Sequence, residues 1–432
     1  MERATKCEVV VIGGGPAGAA AAARLASRGH SVVVLEGERF PRFHIGESLL
    51  PLGDKVFREL GVAEKVKRAG FVQKFGAQLL TSDGGHRVLF DFRQGSHVTP
   101  PWSFQVHRAE FDQLLLDHAV ESGAQLVIGR ATAVRLASDR VEVHYRGAGG
   151  DAGSVQAQVV VDASGRTGVV AKHQGVRIVD PELQKAAIYA HYRGVPVDAG
   201  DRAGDTRIVS LPKLGWFWFI PLKDGVMSVG AVLDMRDYQT RKKGDPAAIF
   251  AESMAAAPAA ARLLATAERC SEFAVESGFS YRARQYCGDR WFLAGDAGSF
   301  LDPVFSTGVL MALRSGLEAA DAAIAGYLSG RGSGAANAAR RRYDRVLQRR
   351  YWFVRRFVTG FYDANTRDMF FSPRPALGVT RAVTTVLAGG FDLSLLDRWR
   401  VGLFFLLGRL QSRFNLVPRV SAPVATPVLE TS

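Results

Sequence analysis

The residues best suited to chemistry open the chain. Gly13, Gly15 and Gly18 keep the spacing G-x-G-x-x-G within Gly13-Gly14-Gly15-Pro16-Ala17-Gly18, and Glu36 closes the next apolar run. This set suits a dinucleotide. Gly13 allows the tight turn, Gly15 lets the backbone approach a pyrophosphate, and Gly18 lets the following helix pack close. Free amides at the start of that helix would hold phosphate charge. Glu36 is placed to accept hydrogen bonds from a ribose, and its charge disfavours a 2′-phosphate. Two further candidates are ambiguous by residue type alone. Lys74 lies among Phe71, Val72 and Phe75, which permits burial, although such a lysine taken alone reads as a solvated side chain. Trp216 and Trp218, two of only six tryptophans, alternate with Phe217 and Phe219 in Gly215–Pro221. As a strand this block is apolar on both faces, which by shape alone is core packing.

The elements that must position these residues are readable from the same stretches. Cys7–Ile12 reads as a short buried strand, an alanine-rich helix runs to Ser27, and Ser31–Leu35 is the next strand. Val159–Val161 leads into Asp162-Ala163-Ser164-Gly165-Arg166, and Trp291–Leu293 leads into Ala294-Gly295-Asp296-Ala297-Gly298. Both are hydrophobic strands ending in small-residue turns. Thr307 and Gly308 open a helix through Val309, Leu310 and Met311, whose free amides suit an anion. A plain N-cap by Ser306 or Thr307 can coexist with that role. No second G-x-G-x-x-G follows a strand. Gly330–Gly334 comes after a helix and reads as a flexible connector, so no NAD(P)H domain is expected.

Three such stations at these distances resemble the glutathione-reductase-type FAD fold of flavin monooxygenases, over roughly residues 5 to 330. The resemblance implies that Asp296 accepts a hydrogen bond from a ribityl hydroxyl. It also implies that Arg108, in His107-Arg108-Ala109-Glu110-Phe111-Asp112, starts a helix near the flavin. Within that superfamily the chain is similar to the flavin-dependent halogenases. Trp216, Trp218, Ile220 and Pro221 match a W-x-W-x-I-P signature, and Phe43–Pro51, with Gly46, Glu47 and Ser48, matches the sequence after the first strand pair. Lys74 stands where the family keeps its catalytic lysine, and Asp302–Val309 matches the segment beside flavin and halide. Gly360–Tyr362 and Val386–Gly389 extend the match.

The resemblance implies a two-component enzyme that takes FADH₂ from a separate flavin reductase. With O₂ and chloride or bromide it makes hypohalous acid, which halogenates an electron-rich arene in a second chamber. Trp216 and Trp218 would wall the flavin from that arene, Lys74 would serve as hydrogen-bond donor or haloamine, and Thr307 and Gly308 would hold the halide. Ser48 and Gly308 would also border the cofactor. Halogenases of free tryptophan carry a glutamate where this chain has Phe305, which points instead to a phenol or pyrrole. The alternatives on the same residues are an FAD-dependent aromatic monooxygenase or reductase, and a non-catalytic flavoprotein scaffold in a biosynthetic assembly.

Composition sets the outer bounds. At 432 residues, 47% hydrophobic and 22% charged, the chain is expected to be a globular α/β protein of several parts. The FAD-binding domain is expected over 5–70, 105–175 and 275–330, and an antiparallel-sheet substrate domain over 71–104 and 176–274. A helical region is expected over 331–432, with a frayed tail from Ser421. Cys7, Cys270 and Cys287 are far apart, which suits a reducing cytoplasm without disulfide or metal framework. No signal peptide is expected, since no n-region and h-region open the chain, and no membrane span, since no apolar run reaches roughly 18 residues; the longest candidate, Val401–Leu407, is flanked by Arg400 and Arg409. The net charge of +13 is concentrated in arginines between 340 and 356. With no nucleic-acid fold evident, that charge reads as a solvated helix or as attraction to an acidic carrier protein bearing the aromatic substrate.

Overall fold

The computed structural model describes residues 4–212, 215–241, 245–373 and 376–420. Runs of β-branched residues without polar alternation suit strands covered on both faces. Val9–Ile12, Val32–Glu36 and Val159–Asp162 are such runs. They are buried throughout and lie parallel at the heart of a nine-stranded sheet. Trp291–Leu293 and Gln125–Leu136 extend it in parallel on either side. Cys7 falls outside the central strand: it is half-buried in the link from the edge strand Ala4–Lys6. Helix Pro16–Ala26 follows the first central strand at once and packs its alanine face against helix Gly308–Ala323, where Gly316 has no room for a Cβ beside Ala17. The two nucleotide-side loops are thereby held by one packed layer.

A second, eight-stranded sheet stands beside the first. Lys185–Arg193, Val226–Asp234, Gly215–Pro221 and Thr206–Leu211 run antiparallel in that order. The expected all-antiparallel sheet is in fact mixed, because Thr206–Leu211 pairs in parallel with Gly76–Leu80. Parallel neighbours need a long crossover, and the chain between them supplies one by building much of the first sheet. The expected boundary at 275 falls inside a strand, Ala274–Ser277, that pairs with Lys185–Arg193 in the second sheet. Two helices, Pro246–Ala255 and Pro258–Leu264, cover that sheet's outer face, with a bend of 115° where Pro258 interrupts the run.

Four C-terminal helices follow: Gly332–Tyr362, Ala364–Phe371, Val379–Leu387 and Leu395–Phe414. The first already includes Gly332, so the expected connector shrinks to Gly330 and Arg331. Tyr343, Leu347, Tyr351, Val354, Phe357 and Phe361 recur at helical spacing and bury one face. Among the described residues no single helix is long and apolar enough to cross a membrane. The expected tail from Ser421 lies outside the described residues.

Candidate functional site

A cavity of about 500 Å³ lies where the two sheets meet. Gly13, Gly15, Pro16 and Ala17 form one part of its wall, Ala163–Arg166 a second, and Gly295 with Asp296 a third. The three strand-end turns read from sequence therefore converge. Gly13 has φ +98°, and a Cβ there would collide with the carbonyl oxygen of Ala163. Gly18 is not on the wall; a Cβ on it would collide with the carbonyl of Gly13, so its role is packing. Glu36 lines the cavity, but both its oxygens also hold backbone: it accepts from the Gly14 amide at 2.6 Å and the Glu38 amide at 2.9 Å. It thus shapes the glycine turn from the cavity wall.

The residues fit FAD on an observation independent of motif. Arg42 reaches the glycine turn, 3.5 Å from where a Cβ on Gly15 would lie. Its Nη1 is buried and makes no hydrogen bond, with Asp112 at 3.6 Å as its ion partner. A pyrophosphate at the turn would supply the missing acceptors. The sequence reading passed over Arg42, since nothing in its spacing separates it from other arginines. Asp296 lines the wall, and burial pushes its carboxyl up to about 6, against the pull of Arg108, Arg166 and Arg177. Asp162 lies behind the second turn and accepts from the amides of Ser164, Val170 and Ala171. Arg108 starts helix Arg108–Glu121, grips Asp112 through two bonds, and donates to the carbonyl of Ile45 at 2.7 Å. It fixes the Gly46–Ser48 loop against the cavity.

The tryptophan strand closes the opposite side. Gly215–Pro221 is buried at every residue. Trp216, Trp218 and Ile220 face the cavity, while Phe217 and Phe219 pack into a separate cluster with Ile249 and Phe250. The two indoles lie 6.0 Å apart, and Tyr189 extends the aromatic surface at 5.9 Å from Trp218. Trp218 donates to Ser228 Oγ at 3.1 Å. Trp216 donates to the Tyr362 hydroxyl at 2.9 Å, which in turn donates to Asp302 Oδ2 at 2.7 Å. Burial pushes Asp302 up to about 6 despite the bonds from Tyr362 and Val304. Sequence does not disclose this relay, because Tyr362 lies 146 residues from Trp216 and no local spacing joins them.

Lys74 is 1% exposed, at the end of strand Val72–Lys74. Its Nζ donates to Ser48 Oγ at 2.6 Å and lies 5.5 Å from the centre of the Phe92 ring. Burial lowers its pKa to about 7, with Asp205 pulling the other way. Ser48 is on the cavity wall and Lys74 is not, so the serine connects the amine to the cavity. The Ser48 hydroxyl is 3.1 Å from Thr206 Oγ1, which accepts from Gln105 Nε2 at 2.8 Å. Glu47, on the wall beside Ser48, is 2.9 Å from His191 Nε2. Thr307 and Gly308 line the cavity at the start of a 16-residue helix, and the Thr307 side chain makes no capping bond. Phe305 packs on Phe357, Phe361 and Phe370, an apolar seat with no carboxylate.

The "FAD binding domain" family matches residues 6–338. A 1H-pyrrole-2-carbonyl-(peptidyl-carrier protein) chlorinase of Pseudomonas fluorescens is 31% identical over 419 residues, covering 91% of this chain and 92% of that protein. Flavin-dependent halogenase armH3 of Armillaria mellea is 35% identical over 340 residues, 72% of this chain; the chain spans 66% of that longer relative. Among solved structures, the flavin-dependent brominase Bmp2 shares a TM-score of 0.80 at 29% identity, over 94% of this chain and all of that one. The chain belongs to the flavin-dependent halogenases, flavoprotein enzymes that use FAD and a halide.

Proposed function

We propose that this enzyme is the halogenase component of a two-component system, taking FADH₂ from a separate reductase and halogenating a pyrrole or phenol. The observation that carries the proposal is the buried amine of Lys74, joined through Ser48 to a cavity walled by two indoles. When bound, FADH₂ would supply the two electrons with which O₂ is activated to oxidise chloride or bromide to hypohalous acid, leaving FAD and water. Gly15, Pro16, Ala17 and Arg42 hold its pyrophosphate, Glu36 its ribose and Asp296 its ribityl chain. The amides of Thr307 and Gly308 hold the halide.

Trp216 and Trp218 exclude the arene from the cofactor, so the oxidant reaches it only as hypohalous acid. Lys74 receives that acid. With its pKa near 7, both forms are accessible at neutral pH: the ammonium donates a hydrogen bond to the oxygen, and the amine takes the halogen as the O–halogen bond breaks and water leaves. Phe305, where free-tryptophan enzymes have a glutamate, supports a phenol or pyrrole. The carrier-bound pyrrole in the chlorinase's name, with the +13 charge, supports delivery on a carrier protein. The test is mass spectrometry of reactions containing FAD, a flavin reductase, NADH, halide, and free or carrier-bound pyrroles and phenols. Halogen isotope patterns are expected; oxygenated product without halogen would overturn the proposal.

A further inference from the structure

We infer that the outward face of helix Gly332–Tyr362 is the docking surface for an acidic carrier domain, an inference that rests on the carrier-bound substrate proposed above. Arg341, Arg345, Arg349, Trp352 and Arg356 follow one another at spacings of four, four, three and four. At 3.6 residues per turn they share one side of the helix. All five are exposed, and the buried residues Tyr343, Leu347, Arg350, Val354 and Phe357 occupy the opposite side. The stripe is about 22 Å long by helical rise.

Its charge is uncompensated. Asp344 is the only acid in the helix, and its carboxylate accepts from the Tyr286 amide. Among the described residues, Arg341, Arg342, Arg345, Arg349 and Arg356 form no ion pair, whereas the buried Arg350 is bound by Glu318 and the half-buried Arg355, on the flank of the stripe, by Asp180 and Glu182. Arginines four apart repel one another along a helix, and a face that is only solvated normally mixes the signs. Arg409 adds to this by facing Arg356. The stripe therefore costs the free protein stability and is complementary to an anionic partner.

The partner's chemistry follows from what lies in the stripe and where it leads. Trp352 is 49% exposed, with the Arg282 and Arg355 guanidiniums 5.2 and 5.6 Å from its ring. An exposed indole among arginines is the residue set that dominates protein interfaces. Six residues past Arg356, about 9 Å by helical rise, is Tyr362, which holds Trp216 at the cavity. A partner seated on the stripe is thus placed on the helix that props the indole wall. A folded acidic domain with a flexible arm fits this better than a nucleic acid, since the stripe joins its charges to a single exposed indole on one helix beside the cavity.

The test uses the FAD-loaded full chain and a peptidyl-carrier domain bearing a pyrrole-2-carbonyl arm. The comparison substrate is the same pyrrole on free pantetheine. Arg341→Glu/Arg345→Glu/Arg349→Glu is expected to lower kcat/KM for the carrier-bound ring at least about tenfold through KM, with the pantetheine thioester unaffected. A carrier variant with its acidic helix residues changed to Lys should restore turnover with the triple variant, which a folding defect would not allow. Carrier turnover by the wild type that the triple variant matches would overturn the docking inference alone. Wild-type turnover of the pantetheine thioester, with neither turnover nor binding of the carrier, would overturn the carrier reading beneath it. Binding of duplex DNA or phosphatidylserine vesicles through the same arginines, with carrier turnover intact, would assign the stripe to those partners instead.

Discussion

A lysine with a pKa near 7 has been moved a long way from its ordinary value of 10.5, and the cause is burial. Each unit corresponds to about 1.4 kcal/mol. Between pH 7 and 10.5 the unfolded chain holds the proton that the folded chain has lost, so this group makes the fold more stable as pH rises through that window. Lys74→Met should therefore stabilise the protein, with a gain largest near pH 7 that shrinks toward pH 10; urea midpoints across that range measure it. The same variant and Lys74→Ala should abolish halogenation while flavin oxidation and peroxide release continue. Halogenation by Lys74→Ala at the wild-type rate would remove the lysine from the mechanism. Ser48→Ala leaves a buried Nζ without its acceptor, at a cost of about 1–3 kcal/mol. It should cut halogenation sharply, with FAD affinity, read by fluorescence titration, nearly unchanged. Lys74 was visible in the sequence through its place in the family resemblance, while its neighbours Phe71, Val72 and Phe75 said only that burial was possible. Its actual partners, Ser48 and Phe92, come from two other segments, and nothing in local spacing could pair them with it.

At the scale of the element, the strand Gly215–Pro221 was legible because a run apolar on both faces has few alternatives. The division of its faces, indoles toward the cavity and Phe217 with Phe219 away, follows from the period of two. What holds the indoles in place was hidden, because cross-strand register is set by the whole sheet. Trp218 lies opposite Gly230, and a Cβ on Gly230 would enter the six-membered ring of that indole. Gly230→Ala should push the indole off the strand at a cost of about 1–3 kcal/mol. The expected signature is a red-shifted tryptophan emission and more peroxide released per halogenated product. An unchanged product ratio would mean that the wall tolerates the displacement. Tyr362→Phe acts from the other side, by leaving both Trp216 Nε1 and Asp302 without their shared hydroxyl.

At the scale of the molecule, one buried acid helps tie the long helix Gly332–Tyr362 to the rest of the fold. Asp180 accepts from Arg355 Nε at 2.5 Å, Arg355 Nη2 at 3.0 Å and the Tyr351 hydroxyl at 3.0 Å. Its own segment is tied to the flavin side through Ser280, whose carbonyl accepts its amide. Burial, the largest single influence, would raise its pKa, but the bonds from Arg355, Tyr351 and the Glu182 amide, with the charge of Arg355, together outweigh it and hold the carboxyl below the usual aspartate range. A depressed folded pKa stabilises above the unfolded value and is lost as pH falls through the folded one, so this contribution should disappear in acid below about pH 4. Asp180→Asn removes the charge and should cost about 3 kcal/mol near neutral pH, the lower end for breaking a buried pair, because Arg355 keeps some exposure. The variant should also lose stability less steeply than wild type on acidification. Because helix Gly332–Tyr362 carries Tyr362 to Trp216, loosening it should lower halogenation while FAD still binds through the glycine turn and Arg42. Limited proteolysis should then cut near Gly330 and free the helices; wild-type resistance with an unchanged urea midpoint would show that they are held by their apolar face alone.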